Sequence, residues 1–320
     1  MRLAFVFAAA LAAAACTKTG PQMCPSLERP SARSAVNAVL VPATNQIYAL
    51  GGLGAQLPID ELWRYSFGAC GGWTRLVLAS SPGPRANYAA AFDDMRSRIV
   101  YIGGGSSGDG GPTNDVWALD TNGLTFTKLA AVGNPPPVAE AEVAAYDAMH
   151  DRVVYAGIET YTLEFGGSDQ GQWVFADATS LVAPASGVLD PVRSLLLVLD
   201  VNGLHGFSFL TSTWHDLAVA GDVPQPGAEL AWDTLGGRLV AVSDGVTIGE
   251  LDANGLAAAF TTLATTNPPP PRRSFAVAIS GSVVWLSGGV TASGCTLDDL
   301  WTLDLDSATW TNVWPATTCQ

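Results

Sequence analysis

Short apolar runs separated by Gly- and Pro-rich clusters set the pattern of this chain. Runs of that length, bounded by turn residues, predict β-strands. One arrangement recurs. Ile47-Tyr48-Ala49-Leu50, Ile99-Val100-Tyr101-Ile102 and Val283-Val284-Trp285-Leu286 each lead into a glycine pair, Gly51-Gly52, Gly103-Gly104 and Gly288-Gly289. A polar loop follows, then an acidic-aromatic strand: Glu61-Leu62-Trp63, Asp115-Val116-Trp117 and Asp299-Leu300-Trp301. A last strand closes each unit, beginning Trp73-Thr74, Phe126-Thr127 and Trp310-Thr311. Proline-rich connectors such as Pro82-Gly83-Pro84 and Pro268 to Pro271 then lead onward.

Each of these units begins with an arginine. Arg33 and Arg85 stand 18 residues before their glycine pairs, and Arg273 stands 15 before its own. Three further units are weaker but in phase. Tyr146-Asp147 with Arg152, Leu189-Asp190 with Arg193, and Trp232-Asp233 with Arg238 copy Phe92-Asp93 with Arg98. Unit spacing is roughly 45 to 53 residues, the length of a four-stranded propeller blade. The units fall at about 30–81, 82–134, 135–186, 187–222, 223–267 and 268–316, before a tail at 317–320.

The start arginine, the second-strand diglycine and the aromatics of the outer strands resemble the kelch repeat, over roughly Pro30 to Ala316. The resemblance implies an all-β fold, a kelch-like β-propeller of about six four-stranded blades. Stacked blades bury faces that one sheet cannot bury alone. Glycines are expected to let backbones approach near the inner strands, and aromatics to fill the outer gaps between blades. Each unit holds all four strands in order. Closure is therefore expected from packing, or from a short strand exchange.

Hydrophobic residues make up 48% of the chain and charged residues 14%, so a large core is available. The formal charge of −14 repels phosphate backbones and excludes nucleic acid as a partner. Arg2, an apolar run from Leu3 to Ala15 and then Cys16 read as an export signal over residues 1–15, too short to span a bilayer. Ala13-Ala14-Ala15-Cys16 resembles a bacterial lipobox, with Ala13 where Leu is usual. That implies lipidation of Cys16, a tether over 16–29 and anchoring to the bacterial outer membrane or cell surface, consistent with Thr17 after the cysteine. Plain secretion is the alternative. In an oxidising compartment Cys24, Cys70, Cys295 and Cys319 suggest two disulfides. The strand ends that carry Cys295 and Cys319 share one face, which favours that pair and leaves Cys24 with Cys70. The rival pairing of Cys24 with Cys319 would staple the ring shut.

Candidate chemistry is sparse. His150 sits in a different unit from His205 and His215, and the three do not form a cluster, which argues against a metal site and against the copper-oxidase branch of such propellers. The Gly103 to Gly111 stretch joins two strands and offers no helix N-terminus to a phosphate. Its other reading is a weak Ca²⁺ site through Asp109 and Asp115. The acid pairs Asp60-Glu61 and Asp298-Asp299 read as caps of third strands. No catalytic residue, metal or cofactor is predicted.

One constellation remains. Arg33, Arg85 and Arg273 belong to units that are consecutive in a closed six-blade ring, and Asn87 lies two residues beyond Arg85. These four are the candidate ligand-binding residues. Either each arginine bonds carbonyls of its own connector, or together they form an arc for acidic groups, which arginine forks suit. Some kelch domains use arginines at this position in that way. The function expected is a binding module for a protein, peptide or glycan. The alternatives are a carbohydrate-active enzyme resembling sialate epimerases and a structural component of a surface assembly.

Overall fold

The computed structural model describes residues 28–67, 71–106, 111–138, 143–178, 181–182 and 186–317. Among them there is no helix, and the strands form six small sheets. Blade 1 comprises β1 (Ala38–Val41), β2 (Gln46–Leu50), β3 (Leu62–Ser66) and β4 (Gly72–Leu76). Blade 2 comprises β5 (Arg85–Ala86), β6 (Ala89–Asp93), β7 (Arg98–Ser106), β8 (Pro112–Asp120) and β9 (Thr125–Lys128). Blade 3 joins β10 (Val132–Gly133) to β11 (Val143–Asp147), β12 (Arg152–Ala156), β13 (Thr160–Glu164) and β14 (Gln172–Asp177). Blade 4 is β15 (Ser186–Asp190), β16 (Leu195–Asp200), β17 (Gly203–Ser208) and β18 (Thr213–Asp216). Blade 5 joins β19 (Ala218–Gly221) to β20 (Glu229–Asp233), β21 (Arg238–Val242), β22 (Val246–Leu251) and β23 (Ala257–Leu263). Blade 6 is β24 (Ala276–Ser280), β25 (Val283–Ser287), β26 (Leu300–Asp304) and β27 (Thr309–Trp314).

The innermost strands β1, β6, β11, β15, β20 and β24 each touch the next around the axis, and β24 returns to β1. The protein is a six-bladed β-propeller. Small side chains permit this convergence: Ala89, Ala90 and Ala91 in β6, Ala144 and Ala145 in β11, Ala276 and Ala278 in β24. Second strands lie between two neighbouring blades and are buried on both faces. That is why Leu195 to Leu199 and Leu239 to Val242 read as unbroken apolar runs instead of alternating ones.

Six apolar clusters fill the six gaps between blades. The gap between blades 6 and 1, where the ring closes, is packed with rings. Trp73 meets Trp285 edge to face at 5.4 Å, and Tyr65 meets Trp73 at the same distance. Such pairs add roughly 0.5–1.5 kcal/mol each beyond the area they bury. Among the described residues, no strand of blade 1 is exchanged into blade 6. Closure therefore rests on this packing, with short backbone links from the chain just before β1. Arg33 N–H donates to Leu297 O at 3.0 Å and Ala35 N–H to Ser274 O at 2.9 Å.

The connectors protect sheet edges. After leaving blade 2 the chain forms β10, which runs parallel to β14 on the outside of blade 3. β19 covers β23 of blade 5 in the same way, and Thr266 bridges Thr309 of blade 6. Each connector thus occupies donors and acceptors that would otherwise invite edge pairing by another chain.

The glycine pairs sit at the upper ends of β2 and β25 and within the upper part of β7. The second glycine of each allows the close approach expected near the inner strands: a Cβ on Gly52, Gly104 or Gly289 would meet the segment leading into β1, β6 or β24. At the first glycine of two pairs, Gly51 and Gly288, the start of the neighbouring unit crosses the strand end, whereas at Gly103 the close contact is Thr113 O of its own hairpin. Gly288 has φ +68, and a Cβ there would stand 2.5 Å from the carbonyl oxygen of Arg33. Gly51 has the same relation to the carbonyl of Arg85. A contrast tests this role. Gly166 has φ +55 and nothing within 4 Å of its would-be Cβ. Gly166→Ala is expected to cost about 1–2 kcal/mol in urea unfolding, from the left-handed backbone alone. Gly288→Ala is expected to cost roughly 1–3 kcal/mol more, because backbone must shift. Equal losses would remove the crossing as the reason for the glycine.

Candidate functional site

Two faces can be distinguished. The upper face carries the unit starts and the loops between second and third strands. The lower face carries the turns between first and second strands and between third and fourth. On the upper face, blades 6, 1 and 2 have long second-to-third-strand connections, across 288–299, 51–61 and the β7–β8 hairpin. Blades 3, 4 and 5 turn within a few residues, at 157–159, 201–202 and 243–245. The upper face is therefore tall on one side and low on the other.

Each tall loop is held by one arginine. Arg33 Nη1 donates to Gly51 O at 2.7 Å, Nε donates to Ser31 O at 3.0 Å, and Nη2 pairs with the Glu61 carboxylate. Arg85 Nη1 donates to Gly103 O at 3.0 Å and faces Asp115 Oδ1 at 3.3 Å, while Nη2 donates to Pro82 O at 2.5 Å. In blade 6 the equivalent residue is Arg272, not Arg273. Arg272 donates to Gly288 O at 3.0 Å and grips Asp299 with both Nη atoms at 2.5 and 2.9 Å. Each carboxylate also accepts an indole N–H two residues on: Trp63 to Glu61 at 2.9 Å, Trp117 to Asp115 at 2.7 Å and Trp301 to Asp299 at 2.8 Å. Burial alone would raise the Glu61 carboxyl. The bonds from Trp63 and Arg33 and the charges of Arg33 and Arg75 outweigh it and hold the group below its ordinary value. At Asp115 burial is likewise outweighed, by Trp117, Arg85 and Thr113.

Arg273 takes the position of Ser34 and Ala86, one residue after the clamping arginine. Its carbonyl stands over Gly289 as those of Ser34 and Ala86 stand over Gly52 and Gly104. Its side chain is exposed and, among the described residues, has no carboxylate partner. The next residue in each unit is left-handed: Ser274 (φ 52), Ala35 (φ 53) and Asn87 (φ 53). These three pass a backbone hydrogen bond around the mouth, from Ala35 N–H to Ser274 O and from Asn87 N–H to Ala35 O at 3.1 Å. Of the four predicted residues, Arg33 and Arg85 lie inside the wall, Asn87 lies on the rim, and Arg273 projects from it.

Sequence reasoning did not find the cleft between the tops of blades 1 and 2. It measures about 140 Å³ and is lined by Asp60, Glu61, Arg75, Ser80, Ser81 and Phe126, among others. Arg75 reaches Glu61 at 3.2 Å, and Ser81 donates to Asp60 at 2.5 Å. Both signs of charge therefore meet solvent here within one small hollow. On blade 5, Glu229 opens the innermost strand at the same end of the axis. Part of it still meets solvent, but burial pushes its carboxyl up to about 7, against a hydrogen bond from Ser186.

The histidines do not converge. His150 pairs with Asp147 at 2.7 Å, His205 bridges Asp216 at 2.7 Å and Asp200 at 3.0 Å, and His215 bonds Gly255 O at 3.0 Å. Among the described residues no three His, Cys, Asp or Glu gather as a metal site. Asp109 lies outside the described residues, as do Cys16, Cys24, Cys70 and Cys319. Cys295 is buried in the tall loop of blade 6.

No family model and no curated protein matches the chain. Among solved structures, that of YjhT superposes with a TM-score of 0.67 over 89% of this chain and 99% of that one, at 14% sequence identity. At that identity the likeness carries the fold alone.

Glu229 yields a pH prediction. Its folded pKa lies above its unfolded value, so the folded state binds the extra proton between the two, and stability falls as pH rises through that window. Glu229→Gln should gain on the wild type between about pH 4.5 and 7, by at most about 1.4 kcal/mol per pH unit. Above pH 7 the gap should stay level. Urea unfolding at pH 5, 6, 7 and 8 checks this, and a gap independent of pH would contradict it.

Proposed function

We propose that the chain is an exported, lipid-anchored, kelch-like propeller that binds a peptide, protein or glycan over the tall side of its upper face. The observation that carries this reading is the arrangement of three neighbouring loops, each fixed by a buried arginine, beside exposed polar groups that remain available. Arg33, Arg85 and Arg272 are turned inward, so the arc for acidic groups reduces to Arg273 at the rim. Arg75, Asp60 and Ser80 in the adjoining cleft supply the complementary polar contacts. A rigid scaffold that presents fixed loops loses little entropy on binding. The N-terminal signal, Cys16 as the lipidated residue and disulfides that pair Cys295 with Cys319 and Cys24 with Cys70 complete the proposal.

The test uses the full chain purified in detergent from bacterial membranes. A thermal-shift panel of acidic and neutral sugars, peptidoglycan fragments and acidic peptides is run on wild type and on Arg273→Glu with Asp60→Ala. A ligand that raises the wild-type Tm and is silent on the variant supports the site, since binding to the folded state stabilises by mass action. A ligand that stabilises both equally places binding elsewhere. In the same preparation, Cys16→Ser should leave the membrane fraction. Its retention there would overturn the lipid anchor.

A further inference from the structure

The lower face repeats a different device. In blades 2, 3, 4 and 5 the first strand ends in a buried aspartate, Asp93, Asp147, Asp190 and Asp233. Each caps the turn that follows. Arg96 N–H donates to Asp93 at 3.1 Å, Met149 N–H to Asp147 at 3.1 Å, Val192 N–H to Asp190 at 2.9 Å and Leu235 N–H to Asp233 at 3.1 Å. Each aspartate also holds an arginine: Arg98 at 2.8 Å, Arg152 at 2.9 Å, Arg193 at 2.7 Å and Arg238 at 2.8 Å. Three of these arginines reach the next blade, to Asp169 O, Phe209 O and Leu251 O.

The residue at the tip of every one of these turns is large, apolar and exposed: Met95 62%, Met149 63%, Val192 70% and Leu235 76%. A solvent-facing turn ordinarily selects Gly, Asn, Asp or Ser. Blades 1 and 6 follow that habit, with Thr44-Asn45 and Gly281-Ser282 in the corresponding turns. The four apolar tips therefore form an arc over consecutive blades, and Leu210 and Leu256 extend it from the adjoining outer turns. Buried caps fix the backbone beneath them, so the arc is presented in one geometry and would lose little entropy on being covered. Scattered exposed apolar residues need no explanation, but the same turn position in four successive blades does.

Charge identifies the occupant. The arginines of this face are paired with carboxylates, and the exposed charged side chains around the arc are Asp94, Asp120, Asp169, Asp252 and Asp306, with His150 beside them. An acidic surface repels an anionic membrane and a second copy of a chain with net charge −14. We infer that the lower arc is a docking surface for a basic amphipathic protein segment, one that sets aliphatic side chains on the four tips and lysines or arginines against the surrounding carboxylates.

The probe is a synthetic 18-residue helix of Leu and Lys with leucines on one face. The comparison peptide has Glu in place of Lys. Binding to the full chain is read by fluorescence anisotropy at about 150 mM salt, where weak surface attraction is screened over about 8 Å. The Lys peptide should bind and the Glu peptide should not. Replacing the tips together (Met95→Ser, Met149→Ser, Val192→Ser, Leu235→Ser) leaves the net charge unchanged and should weaken binding at least tenfold with an unchanged Tm. The upper-face pair Leu57→Ser with Val77→Ser should bind as wild type. Absence of binding, equal binding by the four-tip variant, or preference for phosphatidylglycerol vesicles over the peptide would each overturn the proposal.

Discussion

The structure depends on a buried arginine that belongs to two blades at once. The backbone of Arg33 bonds Leu297 O and receives Gly289 N–H of blade 6, while its guanidinium bonds Gly51 O and Glu61 of blade 1. Arg85 repeats this between blades 1 and 2, with Gly52 N–H and Ile59 O on one side and Gly103 O and Asp115 on the other. A buried charge is costly unless a carboxylate balances it and hydrogen bonds satisfy its donors. Here Glu61 and Asp115 supply the balance and carbonyls take most of the N–H groups, Arg85 Nε being the exception. The carboxylate in turn needs the indole N–H that lies two residues along its own strand. Arginine, glycine pair, acid and tryptophan are thus one physical unit. At Gly51 and Gly288 the glycine is required because a neighbouring backbone crosses it.

This unit also explains why the propeller is not uniform. Blades 6, 1 and 2 are joined at the upper face, where clamped loops stand tall beside the proposed ligand site. Among the described residues, blades 3, 4 and 5 show no such upper clamp, and their upper turns are short. On the lower face, arginines from the aspartate-capped turns of blades 2, 3 and 4 reach across to the next blade. Arg96 adds to the first of these contacts with a two-pronged grip on Asp151 at 2.6 and 2.8 Å. Blade 2 takes part in both systems. The two faces therefore present different surfaces, polar and mixed in charge above, apolar and acidic below.

Much of this was legible in the chain. The phase of apolar runs, glycine pairs and acidic-aromatic strands gave the number of blades and the order of strands within them. The Asp-to-Arg spacing of the weak units was visible as repetition, though its work across blade boundaries was not, because spacing carries no information about the neighbour. The clamping residue of blade 6 was misplaced by one position. Arg272 and Arg273 are adjacent, the Pro268 to Pro271 connector shortens the interval to the glycines, and only the direction of each side chain separates them. The cleft between blades 1 and 2 was hidden for a related reason. It joins Asp60 and Arg75 of one blade to Phe126 of another, and no local motif links them.

The most direct measurement compares the two adjacent arginines. Arg272 and Asp299 form a pair whose side chains are 1% and 4% exposed, whereas Arg273 lies open to solvent. Urea unfolding at pH 7 of Arg272→Ala should show a loss of about 3–5 kcal/mol, the cost of leaving a buried carboxylate unpaired. Arg273→Ala should stay within about 0.5 kcal/mol of wild type. Similar losses for both, or a larger loss at Arg273, would contradict the clamp as the interaction on which the upper face is built.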